Sequence, residues 1–359
     1  MNRLDTMYQT ILAELGQRVF DASFVSDFPA DGRFVAVTVK DRKYWYFDQP
    51  DGQGGQTRRY AGPVDDAAIT ERVTQFKALK NDFTSRRKLV RTLIREGGLP
   101  RPENRAGDII EVLANAGFFR LRGVLIGTVA YQCYSGLLGV RLPSASMVTG
   151  DADLAQDFAI SNEVQDSLPP ILDLLRSIDE TFQPIPHRSG SPRSSAFKTQ
   201  DGYRVEFLTG NRGSDDYLDK PAEMPALGGA SADPLRFLDF LIYEPVRTVL
   251  LHQAGVSVLV PDPARYAIHK LIVATRRVKT DDGFLKQKKD LNQATALIEA
   301  MTQERRFNDV KETLQEALAR GPAWRDAITD ALSMIPDETA DRLVKVIDEN
   351  AKGIGKGGG

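Results

Sequence analysis

Two aspartates one residue apart, Asp151 and Asp153, lie in the run Met147-Val148-Thr149-Gly150-Asp151-Ala152-Asp153-Leu154. Side chains of an extended segment alternate between faces, so both carboxylates aim the same way. At about 4 Å and an effective dielectric of about 20 their repulsion is about 4 kcal/mol, which a bound divalent cation reverses. Hard carboxylate oxygens suit Mg²⁺ or Mn²⁺. The same spacing also caps ordinary turns, so the elements around the pair decide its meaning.

Upstream, the apolar run from Phe118 to Ile126 ends in Gly127-Thr128 and is followed by the helix-like Val129-Ala130-Tyr131-Gln132-Cys133-Tyr134. This order predicts a strand, a tight glycine turn and a helix N-terminus, which presents backbone N–H groups and a hydroxyl to a phosphate. Downstream, Ser195–Thr199, a Gln-Asp-Gly turn and Tyr203–Thr209 predict a β-hairpin. Alternation in its second strand sets Arg204, Glu206 and Leu208 on one face. Glu206 is therefore a candidate third carboxylate.

A glycine turn, an Asp-x-Asp strand and a later lone acid on a strand, in that order, resemble the nucleotidyltransferase fold of the DNA polymerase β superfamily. Gly117–Asp153, Tyr203–Thr209, Gly255–Leu271 and Lys286–Ala294 together resemble a family of bacterial nucleotidyltransferase-fold proteins, itself distantly similar to the AbiEii-type toxins. The resemblance spans roughly residues 30 to 302. It departs from the superfamily pattern in having Gly-Thr where Gly-Gly or Gly-Ser is usual, and Glu206 where an aspartate is usual.

The resemblance implies an α/β (α+β) fold: a polymerase β-like core with a mixed sheet, an N-terminal hairpin and helix module, and a C-terminal helical section. It implies transfer of an NMP or dNMP from a nucleoside triphosphate to a hydroxyl, with pyrophosphate released. Asp151 and Asp153 would hold two Mg²⁺ (or Mn²⁺) ions about 3.5–4 Å apart, with Glu206 completing the set. Gly127, Thr128 and Lys270 would meet the β and γ phosphates, and Lys289 and Asp290 would face the nucleotide. The acceptor would be an RNA 3′ end or a protein hydroxyl, in a toxin or antiviral defence setting. Alternatives are template-independent, self-primed synthesis of a short oligonucleotide and a non-catalytic nucleotide-binding or nucleic-acid-binding module.

Composition fits this picture. A chain of 359 residues, 42% hydrophobic, has enough apolar material for a full core. The formal charge of -2 conceals acidic groups around Asp151, Asp153, Asp157 and Asp215-Asp216, and a basic section at Arg265, Lys270, Arg276, Arg277 and Lys286–Lys289. The lone Cys133 cannot close an internal disulfide, which favours a reducing cytoplasm; a small buried hydrophobe is its ordinary role. No run approaches the roughly 20 apolar residues of a membrane span, and no signal-peptide pattern opens the chain. Oligomeric state leaves no mark in the sequence.

Periodicity sets the organisation. An amphipathic helix is expected over 4–16, a hairpin from Arg33–Val39 and Lys43–Phe47, a glycine loop over 51–55 and helix over 65–97. Pro100-Arg101-Pro102 marks the end of an N-terminal module over 1–100. A catalytic core over 101–262 contains a helix over 161–183 and a flexible loop over 187–195. Helices broken at Pro322 and Pro336 fill 263–348, and 349–359 reads as a disordered tail. In the helix starting near Pro263, Ala264, Ala267, Ile268, Leu271 and Ile272 form the buried stripe, with Arg265, His269 and Arg276 on another face and Lys270 beside them. Lys270 is the choice for phosphate contact, a solvated face being the alternative. Lys286, Lys289, Asp290 and Gln293 form one polar stripe on the next helix. Tyr44, Trp45, Tyr46, Arg58, Arg59 and Tyr60 read either as a stacking and phosphate surface or as the core of a small hairpin.

Overall fold

The computed structural model describes residues 1–28, 33–50, 55–76, 83–144, 147, 150–164, 166–211, 220–277 and 279–356. Most of the glycine loop over 51–55 and the acidic pair Asp215-Asp216 lie outside the described residues.

The chain opens with α1 (Thr6–Asp27), then an antiparallel sheet of β1 (Arg33–Val39), β2 (Arg42–Pro50) and β3 (Gln56–Pro63). Lys40 and Asp41 both adopt left-handed angles, φ 47° and 64°, the two-residue primed turn that matches strand twist. Phe28, Phe34, Phe47 and Phe76 pack edge-on beneath the sheet. Helices α2 (Ala67–Gln75) and α3 (Phe83–Arg95) follow, so the helix expected over 65–97 is two. Asp66 caps α2 by accepting from Ile69 N.

The central sheet is built from β4 (Val124–Ile126), β5 (Asp151–Ala155), β8 (Arg204–Gly210), β10 (Ser231–Leu235) and β9 (Ala222–Glu223), in that spatial order, with β6 (Gln183–Ile185) and β7 (Ala196–Lys198) joined to β8. It is mixed: β4 runs antiparallel to β5, and β5 parallel to β8. Helices α4 (Asn104–Asn115) and α5 (Gly127–Leu138) contribute to its core, α5 through Val129, Ala130, Tyr131, Cys133 and Tyr134. The helix expected over 161–183 resolves into α6 (Phe158–Glu163) and α7 (Ile171–Arg176), because Pro169-Pro170 cannot continue one. The segment 187–195 is irregular but tied down: Phe207 N donates to Ser195 O and Ser231 N to Ser194 O.

After α8 (Leu238–Leu241), a hairpin of β11 (Val246–Leu250) and β12 (Val256–Val260) leads into α9 (Pro263–Ala274), α10 (Asp281–Gln303), α11 (Phe307–Ala319), α12 (Pro322–Leu332) and α13 (Asp337–Lys356). Pro263 and Pro322 stand in first helical turns, where the missing N–H costs nothing. The glycine-rich tail continues as the last turns of α13 to Lys356, and 357–359 lie outside the described residues. One apolar cluster runs from α4 and the central sheet through α9, α10 and α11 to Leu343 and Val346. No helix among the described residues is long and apolar enough to cross a membrane.

Candidate active site

Strand register brings the acidic residues together. Ile126 pairs with Asp153 across β4 and β5, and Asp153 pairs with Glu206 across β5 and β8. Side chains of paired residues share a face, so Asp151, Asp153 and Glu206 line one side of adjacent strands. The turn after β4 then meets that side: Gly127 has φ +65°, and a Cβ there would lie 2.3 Å from Asp153 Oδ2. Only glycine allows this approach and this backbone angle. The N-terminus of α5 thus starts against the Asp153 carboxylate, with Thr128 buried next to it. Its unpaired N–H groups and helix dipole provide a place for an anion.

Burial pushes the Asp153 carboxyl up to about 7, and the charges of Asp151 and Glu206 push the same way. Lys270 and Lys289 pull it back down. Such a group holds its proton near neutrality unless a cation takes its place. Glu206 Oε1 lies 2.8 Å from Arg204 Nη2, an ion pair along one strand face, and Arg204 is register partner to Asp151. The three carboxylates supply hard oxygen donors at mutual electrostatic cost, and this donor set fits a divalent ion.

The cationic side comes from α9 and α10. Lys270 Nζ lies 2.6 Å from Asp290 Oδ1, and Arg277 Nη2 lies 2.7 Å from Asp290 Oδ2. Asp290 is 2% exposed, and those two cations hold its carboxyl below the usual range against the effect of burial. Its visible work is therefore to anchor Lys270 and Arg277. Lys289 is half-buried; desolvation and Lys270 lower its pKa, while Asp151, Asp290 and Asp153 raise it. The expected polar stripe on α10 turns inward at Asp290 and Gln293, while Lys286 stays exposed beside Asp282. Tyr266 Oη lies 2.9 Å from Gly127 O and 3.0 Å from Gln293 Oε1, a latch from α9 to the glycine turn.

Several residues singled out in the sequence find their places here. His269 is buried, and burial takes its imidazole down to about 3. Arg265 pairs with Glu316 and packs over Phe240 and Tyr243. Cys133 is free and buried, its thiol pushed up to about 12. In the N-terminal sheet Tyr46 and Tyr60 are buried, Trp45 Nε1 donates to Thr70 and Arg58 pairs with Asp48. Tyr266 and Arg277 were not legible as site residues, since only packing reveals their partners.

A second cluster escaped the sequence altogether. Asp108 and Glu111, one turn apart on α4, meet His252 from the β11–β12 turn, and their ligand-capable atoms all lie within 4.8 Å of one another. This group could hold a metal ion. Asp151, Asp153 and Glu206, also described, are not gathered that tightly. His252 Nε2 lies 2.7 Å from Asp108 Oδ1 and 3.8 Å from Glu111 Oε2. Its ring rests on Gly107, where a Cβ would come within 2.2 Å of Nδ1. Asp108 and His252 are 144 residues apart, and no local pattern links them.

A mixed sheet with a glycine turn against a carboxylate strand, closed by basic helices, is the arrangement of a nucleotide-handling enzyme. A family model described as "Nucleotidyltransferase" matches residues 104–319, well over half of the chain, and the chain belongs to that family. Among curated proteins and among solved structures no match is found.

Proposed function

We propose that the chain moves a nucleoside monophosphate from a nucleoside triphosphate to a hydroxyl acceptor, releasing pyrophosphate. The observation that carries this reading is the contact of Gly127 with the Asp153 carboxylate, which sets a helix N-terminus and an acidic cluster side by side. Asp151, Asp153 and Glu206 are the residues that would hold Mg²⁺ or Mn²⁺. Such an ion, when bound, stabilises charge on phosphoryl oxygens and lowers the pKa of an attacking hydroxyl. The N–H groups at Gly127 and Thr128 bind and orient the phosphates opposite the carboxylates. Lys289 balances the charge of the triphosphate, and Asp290 positions Lys270 for the same task. Pairing with Asp290 also keeps the Lys270 ammonium fixed, so it needs little reorganisation when substrate arrives. A toxin or defence setting follows from the resemblance and not from this geometry.

The test is incubation of the purified chain with each α-labelled NTP and dNTP, with and without RNA. Asp151→Asn with Asp153→Asn is expected to abolish label transfer and leave the circular dichroism spectrum unchanged. Retained transfer would overturn the assignment. Label on the protein itself in place of RNA would favour self-primed synthesis, and nucleotide binding without pyrophosphate release would favour a non-catalytic module.

A further inference from the structure

Two adjoining cavities, of about 260 Å³ and about 630 Å³, separate the N-terminal sheet from the catalytic section and share Tyr60, Pro63 and Arg122. Arg120 and Arg247 line the first; Arg42, Lys43, Tyr44 and Tyr46 line the second. Tyr44 and Tyr46 have ring centroids 6.0 Å and 5.7 Å from Tyr60, so the wall is a patch of aromatic rings.

The charges are unevenly engaged. The Arg120 side chain is 6% exposed and bound through Nη1 to Asp166 and Tyr60 O, yet its Nε is buried with no hydrogen-bond partner. A buried donor left over beside a cavity is costly unless something accepts from it. Arg122 holds a left-handed backbone angle, φ 63°, in a non-glycine residue, a strain of the kind found at binding sites. Among the described residues, no acidic group lies within ion-pair distance of Arg122, Arg42 or Lys43. Most nearby acids are occupied: Asp66 caps α2, Glu163 pairs with Lys40, and Asp166 with Arg120. Asp41, Asp65 and Glu163 line the second cavity beside these cations.

Position narrows the occupant. Arg122 precedes β4 and Glu163 closes α6, so the groove lies beyond the end of β4 and β5 opposite Asp151. Between Asp153 and the groove lie the last residues of β5, to Ala155, and the helix from Phe158 to Glu163. An occupant that fills the groove and also meets the carboxylates must run past the end of β5.

We propose that this groove holds the single-stranded polynucleotide whose terminal hydroxyl is the acceptor, with phosphates against Arg122, Arg42 and Lys43, and a base against Tyr44. Aromatic faces interleaved with cations are what sequence-tolerant single-strand binding uses. The proposal rests on the transferase reading, but its test is independent of chemistry. Anisotropy of fluorescein-labelled single-stranded RNA and DNA, each about 12 nucleotides long, is titrated with the full chain at about 50 and about 200 mM salt. Wild type and Asp153→Asn are expected to bind alike, more weakly at the higher salt. Arg122→Glu with Lys43→Glu should weaken binding at least about tenfold, and Tyr44→Ala about five- to tenfold, both with native circular dichroism. If the charge-reversed pair misfolds, Tyr44→Ala alone decides. Unchanged affinity in the folded variants, no binding of either oligonucleotide, or full displacement of the oligonucleotide by AMP would overturn the groove assignment. None of these outcomes touches the label-transfer experiment, which judges the transferase reading separately.

Discussion

Asp153 and His269 tie the site to pH in opposite directions. Burial, then Asp151 and Glu206, raise Asp153 from 3.8 to about 7. Between those values the folded chain keeps a proton that the unfolded chain has released, so Asp153 costs stability as pH rises through the window, and fully above it. The stability gain of Asp153→Asn over wild type should therefore be near zero at pH 4 and reach about 1–3 kcal/mol by pH 8. Urea unfolding at both pH values measures it, and a gain that does not vary with pH would refute the assigned environment. His269 falls from 6.5 to about 3, chiefly by burial and then by Lys270. Here the unfolded chain takes up the proton, so stability is lost as pH falls below about 6.5. His269→Gln should flatten that acid limb. The carboxylate pair was legible because its spacing is local. The engagement of Lys270 by Asp290 was not, since an ion pair between two helices leaves no periodic trace.

The turn from β4 into α5 carries more of the site than its length suggests. Gly127 and Gly139 bracket α5, both with φ +65°, but their surroundings differ. A methyl on Gly127 would meet the Asp153 carboxylate at 2.3 Å, whereas one on Gly139 would meet the flexible amide tip of Gln9 at 3.1 Å. Gly139→Ala should cost about 1 kcal/mol, the price of the left-handed angle, with label transfer intact. Gly127→Ala should cost about 2–3 kcal/mol and abolish label transfer, because the carboxylate must move. Equal loss of transfer in both would deny the turn its special role. Strands β1, β2, β5 and β8 were readable from alternation and turn residues. Strand β3 was not, because its first half, Gln56-Thr57-Arg58-Arg59, is polar, with Gln56, Thr57 and Arg58 exposed. Helix lengths were overestimated wherever an apolar rhythm continued across Pro169-Pro170 or past Gln75.

The molecule is held together unequally. Catalytic sheet and C-terminal helices share one continuous apolar cluster, whereas the N-terminal sheet has its own small one of Phe28, Phe47, Ala61, Ile69 and Phe76. What fastens that sheet to the catalytic section includes polar contacts: Asp166 accepts from Arg120 and from Tyr60 N, and Lys40 pairs with Glu163. The sequence suggested a boundary at Pro100-Arg101-Pro102 but could not show which surfaces meet: Leu15 and Leu93 cluster with Val249 and Leu251, and polar contacts join residues 60, 120 and 166. Apolar clusters that are not shared unfold separately when the link between them fails. Asp166→Ala leaves the buried Arg120 guanidinium without its carboxylate, a loss on the order of 3–5 kcal/mol at that interface. Amide exchange should then speed up across β1, β2 and β3 while β5, β8 and α9 keep their protection. Uniform acceleration over the whole chain would mean that sheet and core unfold together, and that the groove between them has no freedom to adjust around a bound strand.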